Sequence, residues 1–220
     1  MKLCEIYTTP KDEWASKVYR AGTDLSSAAS NKVTQARKQQ SHKFLGAGGF
    51  GYVGTDDDDN FGDVKRIANA DDGGSMYLKY IAEHPEVMDN PFFPQVRAVV
   101  DYDYDDNVQV TITERLIPFD TPAISQNSKL MQAIWTRYFT EPWTNEVKNN
   151  FTEWLTEELR MALVSTSTAA IKDPYLEQAV TLLKKMRQCL RTEIDMHAGN
   201  IMWRPHPYQP QLVFTDPFVY

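Results

Sequence analysis

Cysteine is scarce: Cys4 and Cys189 are the only two in 220 residues. Two isolated thiols without zinc-type spacing exclude a disulfide framework or a structural zinc site, and they fit a reducing compartment. Both are expected to be inert, with Cys189 packed in a helix core as a small hydrophobe. Long apolar runs are missing as well. No stretch approaches the roughly 18 residues of a membrane span, and the opening Met1-Lys-Leu-Cys-Glu-Ile lacks the apolar core of a signal peptide. The expected location is the cytoplasm, with no membrane partner. Positive charge is in deficit: 23 Lys and Arg stand against 30 Asp and Glu, for a net charge of −7. A nonspecific nucleic-acid binder needs a basic face to displace counterions, so direct nucleic-acid binding is not expected.

What is present suits an ordinary folded protein. With 42% hydrophobic residues, the chain can bury a core as one large domain or two modest lobes. Residues 1–40 read as an extension. Over 1–43 eight Lys and Arg face four acids, Trp14, Val18 and Tyr19 outline a short amphipathic helix over 12–19, and 22–31 is a Ser- and Ala-rich linker. This extension is expected to cap the first lobe or to contact a partner.

Residues 41–117 carry strand signals around one helix. A glycine-rich hairpin leads through the acidic turn 56–59 into Phe61-Gly-Asp-Val-Lys65-Arg-Ile67, and Asp71-Asp-Gly-Gly-Ser75 forms a turn and N-cap before a helix over 76–83. Two further strands follow, over 97–102 and 108–116, the second alternating at period two as a half-buried strand does. Residues 118–220 turn helical. Apolar residues recur at helical spacing over 128–139, 145–162 and 173–191, the last through Leu176, Ala179, Leu182, Leu183, Met186 and Leu190. Trp135, Trp143 and Trp154 are expected in the core. A hairpin of 201–203 with 212–214 closes the chain. The acidic run 56–59 reads as a solvated tip, since it lacks the glycine turn and distal glutamate of a calcium loop.

Two segments carry chemistry. Near the end the chain reads Glu193-Ile-Asp195-Met-His197-Ala-Gly-Asn200-Ile, and Thr-Asp216-Pro follows a short apolar run. A carboxylate, an amide five positions on and a second carboxylate after a strand suit a metal-bound phosphate held against a nucleophile. Far upstream stands Leu45-Gly46-Ala-Gly48-Gly49-Phe50-Gly51-Tyr-Val53. Glycines there let backbone N–H groups approach phosphate oxygens. The same G-x-G-x-x-G occurs in dinucleotide-binding folds, where it opens a helix. Here strand and acidic turn follow instead.

With these residues the chain resembles the protein-kinase-like superfamily, and more narrowly it is similar to the early Ser/Thr protein kinases of podophages. The resemblance runs over roughly residues 40–220. It implies an α+β, two-lobed kinase-like fold with a small antiparallel sheet in the N-lobe (41–117) and a reduced helical C-lobe (118–220). It implies ATP and Mg²⁺ as cofactors and phosphoryl transfer to Ser/Thr of host proteins in the host cytoplasm. Asp195 would accept or orient the acceptor hydroxyl's proton, and Asn200 and Asp216 would offer oxygens to the metal. Gly46, Gly48, Gly49, Gly51 and Val53 would cover the phosphates. Lys65, on one strand face with Asp63 and Ile67, would pair with the α- and β-phosphates, and Glu83, or Glu86 beside it, would hold Lys65. Thr113, Glu114 and Leu116 would line the hinge that binds adenine.

The pattern also departs from the family. Glu193 and Ile194 replace a His-Arg pair, so no receiver for a phosphorylated activation loop is expected. His197 stands where protein kinases carry Lys, as in small-molecule phosphotransferases, and would orient the loop or contact phosphate. After Asp216-Pro217 no A-P-E motif follows, and the acceptor is expected on residues 1–40, on 117–172 or on a downstream region. Two other readings stay open. One is a kinase-like module that inhibits a host enzyme or defence protein by contact, and the other is a small-molecule phosphotransferase.

Overall fold

The first sheet grows from the alternating segments that surround one capped helix. A computed structural model describes residues 44–48, 51–54, 63–102, 108–119, 121–204 and 210–219. The extension 1–40, with its expected helix, and the acidic turn 56–59 lie outside the described residues. The chain is a mixed α+β protein with small antiparallel sheets. It divides into two compact units, one of residues up to His84 with Gln95–Arg115, the other of Pro85–Pro94 with Leu116–Tyr220. The segment Pro85–Pro94, assigned from sequence to the first lobe, therefore belongs to the second unit.

In the first unit, β1 (Phe44–Gly48), β2 (Gly51–Gly54), β3 (Asp63–Asn69), β4 (Val96–Tyr102) and β5 (Val108–Glu114) form an antiparallel sheet in the order β1-β2-β3-β5-β4. Helix α1 (Gly73–Glu83) follows β3. Asp72 caps it, accepting from Ser75 N at 3.2 Å, and also pairs with Arg66, whose Nη1 donates to Ser75 Oγ at 2.8 Å. One arginine of β3 thus ties the strand to the helix start, where a carboxylate also meets the helix dipole. Tyr77, Leu78, Ile81 and Ala82 form the buried stripe of α1, and Ile67, Ala68, Val96, Ala98 and Val110 are buried on the strands. Strand β5 corrects the half-buried expectation. It lies between β3 and β4, and Gln109, Thr111 and Thr113 are buried, with Thr111 Oγ1 donating to Gln109 Oε1 at 3.2 Å.

The second unit begins with the one-turn helix α2 (Pro85–Met88) and a turn through Phe92 and Phe93, both fully buried. Its strands are short: β6 (Ile117–Pro118), β7 (Glu193–Ile194), β8 (Ile201–Arg204), β9 (Gln211–Phe214) and β10 (Phe218–Val219). They form a three-stranded sheet, β6-β8-β9, and a separate pair, β7 with β10. The helices are α3 (Pro122–Ser125), α4 (Ser128–Tyr138), α5 (Asn145–Asn149), α6 (Phe151–Val164) and α7 (Pro174–Leu190).

The helix expected over 145–162 breaks at Asn150, whose φ of −122° and ψ of 36° leave the helical region. Asn149 and Asn150 offer side chains that compete for backbone bonds, and Thr144 starts the first piece by accepting from Val147 N. Helix α7 starts as its sequence dictates, with Asp173 accepting from Tyr175 N and Leu176 N and Pro174 at the first position. Its buried stripe is Leu176, Ala179, Val180, Leu183 and Met186. Cys189 is exposed, which corrects its assignment to the core. At 100° per residue it falls beside that stripe, in the last turn. Trp135 is fully buried, whereas Trp143 and Trp154 are half-buried.

Tyr138 sets a pH limit on this core. Its ring is buried, its hydroxyl accepts from Leu212 N at 3.4 Å, and burial pushes its ionisation above the ordinary 10.0. Below that value both folded and unfolded chains hold the proton, and above it the unfolded chain ionises first. Stability is therefore expected to fall as the pH rises past about 10, and to fall less steeply in Tyr138→Phe. Urea midpoints of both proteins at about pH 8 and about pH 10.5 check this.

Candidate functional site

Asp195 follows the two-residue strand β7, and its position is set by backbone pairing. Phe218 pairs with Ile194 and Val219 with Glu193, and Asp195 N donates to Pro217 O at 2.9 Å. The residues just after Asp216 thereby hold the loop that bears Asp195. On the other side, Ala198–Asn200 form a 3-10 turn, with Asn200 N donating to His197 O at 3.0 Å. From Asn200 the chain enters β8, which pairs with β9, and Thr215 N donates back to Asn200 O at 3.0 Å. Asp195, Asn200 and Asp216 are thus stitched into one locus by main-chain bonds, although the last two are sixteen positions apart.

Side chains complete it. Asn200 is 8% exposed, and its Nδ2 donates to Asp195 O at 2.6 Å and to Asp195 Oδ2 at 3.3 Å. With its nitrogen so engaged, the amide turns its oxygen the other way, where it can serve as a ligand. Asp195 Oδ1 has no hydrogen-bond partner among the described residues. Asp216 is half-buried, with Oδ1 withdrawn from solvent. His197 Nδ1 accepts from Gly199 N at 3.0 Å, and its Nε2 lies 3.7 Å from Asp195 Oδ2.

The donor set suits a hard cation only in company. Asn200 and Asp216 supply one neutral and one charged oxygen, and Mg²⁺ takes one or two such ligands with substrate phosphates and waters. No group of three or more His, Cys, Asp or Glu side chains able to hold a metal occurs among the described residues. A metal here would depend on oxygens brought by a phosphate.

In the first unit, Gly46 pairs with Val53, Ala47 with Tyr52 and Gly48 with Gly51, so the glycine segment is a hairpin rather than a strand running into a helix. Its tip, Gly49 and Phe50, lies outside the described residues. Lys65 is buried at 7% exposure, on the strand face that Ile67 shares. Its expected carboxylate is not supplied by α1. Glu83 and Glu86 are exposed, and neither forms an ion pair among the described residues. The reason is helical geometry: Glu83 is two residues past buried Ile81, about 200° around the axis. An acid that does bind β3 is Asp72, through Arg66.

At the expected hinge, Glu114 is bound to the residue just before β4. Its N donates to Gln95 O at 3.0 Å and its Oε1 accepts from Gln95 N at 2.8 Å. Thr113 is buried, and half-buried Leu116 is the first residue of the second unit after the crossing from Arg115.

No protein-family model matches the chain, and comparison with curated proteins finds no match either. What can be said of the site therefore rests on its residues. The pairing of Pro217 with Asp195 and of Thr215 with Asn200 escaped the sequence reading, because main-chain bonds carry no residue signature. The lock of Arg66 on Asp72 was legible in principle, since a capping Asp offers a second oxygen to a nearby cation.

Proposed function

We propose that this protein transfers the γ-phosphoryl group of ATP, with Mg²⁺, to Ser/Thr hydroxyls of proteins, as a kinase-like enzyme of two lobes similar to podophage early kinases, acting on host proteins. The observation that carries the reading is the gathering of Asp195, Asn200 and Asp216 by three short main-chain and side-chain links. Asp195 Oδ1 takes the acceptor hydroxyl's proton while Asn200 fixes the other carboxylate oxygen. Asn200 and Asp216 hold the cation, which when bound neutralises charge on the phosphates. Lys65 and the glycine hairpin are assigned to the nucleotide phosphates by the resemblance alone.

Incubation with labelled ATP, Mg²⁺ and bacterial lysate tests this. Labelled protein bands are expected, and they should vanish with Asp216→Ala. Label that persists undiminished in that variant counts against the assignment.

A second reading, a kinase-like module that binds a host enzyme or defence protein without catalysis, is favoured by the exposure of Glu83, the only acid within α1, which forms no ion pair among the described residues. Mg²⁺-dependent ATP binding with no labelled product, from protein or from a panel of sugars and aminoglycosides, would select it over both enzymes.

A further inference from the structure

The turn after Asp195 contains an imidazole whose two nitrogens face different groups. His197 has extended backbone, with φ −141° and ψ 171°, and stands at the N-terminal cap of the turn Ala198–Asn200. Its Nδ1 lies 3.0 Å from Gly199 N. A backbone N–H can only donate, so Nδ1 must present its lone pair, and in the neutral ring the proton resides on Nε2. That nitrogen lies 3.7 Å from Asp195 Oδ2, beyond hydrogen-bond length but within reach of a small rotation of either side chain. The same Oδ2 accepts from Asn200 Nδ2 at 3.3 Å. One donor therefore holds this carboxylate oxygen, a second lies a small rotation away from it, and the other oxygen is left open.

Asp195 needs such a clamp. Its side chain is 46% exposed, so water alone would let the carboxylate rotate. Gly199 makes the clamp possible. A Cβ there would lie 2.8 Å from His197 Cε1 and 3.0 Å from Nδ1, so a larger residue would require the ring to shift.

We infer that His197 is a positioning residue: capped by Gly199 N–H into its Nε2–H tautomer, it turns Asp195 Oδ2 inward and aims Oδ1 at the acceptor hydroxyl. The catalytic consequence rests on the phosphoryl-transfer reading above, whereas the tautomer and its contact do not.

His197→Asn separates the Gly199 bond from the approach to Asp195, because the asparagine oxygen can still accept from Gly199 N while nothing reaches Asp195. The expected result is a kcat lowered by about 10–100-fold with KM for ATP nearly unchanged, as for a carboxylate misplaced by a fraction of its reach. Unchanged kcat overturns the inference, as does a raised KM for ATP at normal kcat, which would mean that the ring contacts phosphate.

A second arm reads the ring directly in the full chain. Long-range ¹H–¹⁵N spectra at about pH 8.5, where an ordinary imidazole is neutral, are assigned by the loss of one of four histidine signals in His197→Asn. An Nε2–H tautomer whose resonance shifts in Asp195→Asn supports the assignment. An Nδ1–H tautomer, or no response to Asp195→Asn, overturns it. If the wild-type protein phosphorylates nothing, the proposed function fails and the spectra still decide the role of His197.

Discussion

Replacing Asp195 by Asn is expected to lower phosphoryl transfer by about 10²–10⁴-fold, the range removed with a positioned general base. The substitution keeps shape and removes charge. The loop should survive it, because Asn200 Nδ2 bonds the main-chain oxygen of residue 195 at 2.6 Å and Asp195 N bonds Pro217 O at 2.9 Å, neither of which needs the carboxylate. ATP affinity and melting temperature should therefore stay near wild type while turnover collapses. Measuring all three separates loss of chemistry from loss of fold. Equal turnover in the two proteins would remove Asp195 from the reaction.

Replacing Phe92 by Ala is expected to destabilise the second unit by about 3–5 kcal/mol, the usual range for a fully buried phenylalanine. Phe92 is 0% exposed, meets Tyr138 edge-on at 5.4 Å between ring centroids and lies 6.3 Å from the Phe214 ring. Its carbonyl accepts from Phe214 N at 2.9 Å, just before Thr215 and Asp216. The neighbours are as firmly held: Arg204 donates to Pro91 O at 2.8 Å and to Phe93 O at 2.9 Å, and Asn90 Nδ2 donates to Tyr175 O at 3.0 Å. The segment cannot slide to fill the cavity. Hydrogen exchange should report the loss in β8, β9 and α4 first, with β3 and β5 protected longer. A change below about 1 kcal/mol, or a loss confined to the five-stranded sheet, would mean that Pro85–Pro94 does not anchor in the second unit.

Where a signal is local and repeated, the sequence was legible. The strands β3, β4 and β5, the helix after Asp72, and α7 between Asp173 and Arg191 were all expected within a few residues, because caps and periodicity act over one or two turns. The candidate site was legible in the same way, as a spacing: Asp195 and Asn200 five apart fit one tight turn. What misled was the placing of two residues at helix ends. Glu83 and Cys189 each lie near the end of a correctly expected helix, yet both are exposed.

Sequence by itself determined the pieces: which segments alternate, which wind, where glycine must bend the chain, and which oxygens recur at a spacing suited to a cation and a phosphate. Tertiary structure alone decided how those pieces are joined. β7 and β10 are two residues each, too short to show a period, and they exist only because the residues just after Asp216 find the loop of Asp195. Likewise Ile117 and Pro118 become a strand only against Trp203 and Met202, and Pro85–Pro94 joins the second unit through Phe92 and Arg204. The physical reason is common to all three. Main-chain hydrogen bonds and buried aromatic contacts between distant segments depend on which partner arrives, and no local pattern of side chains encodes that partner.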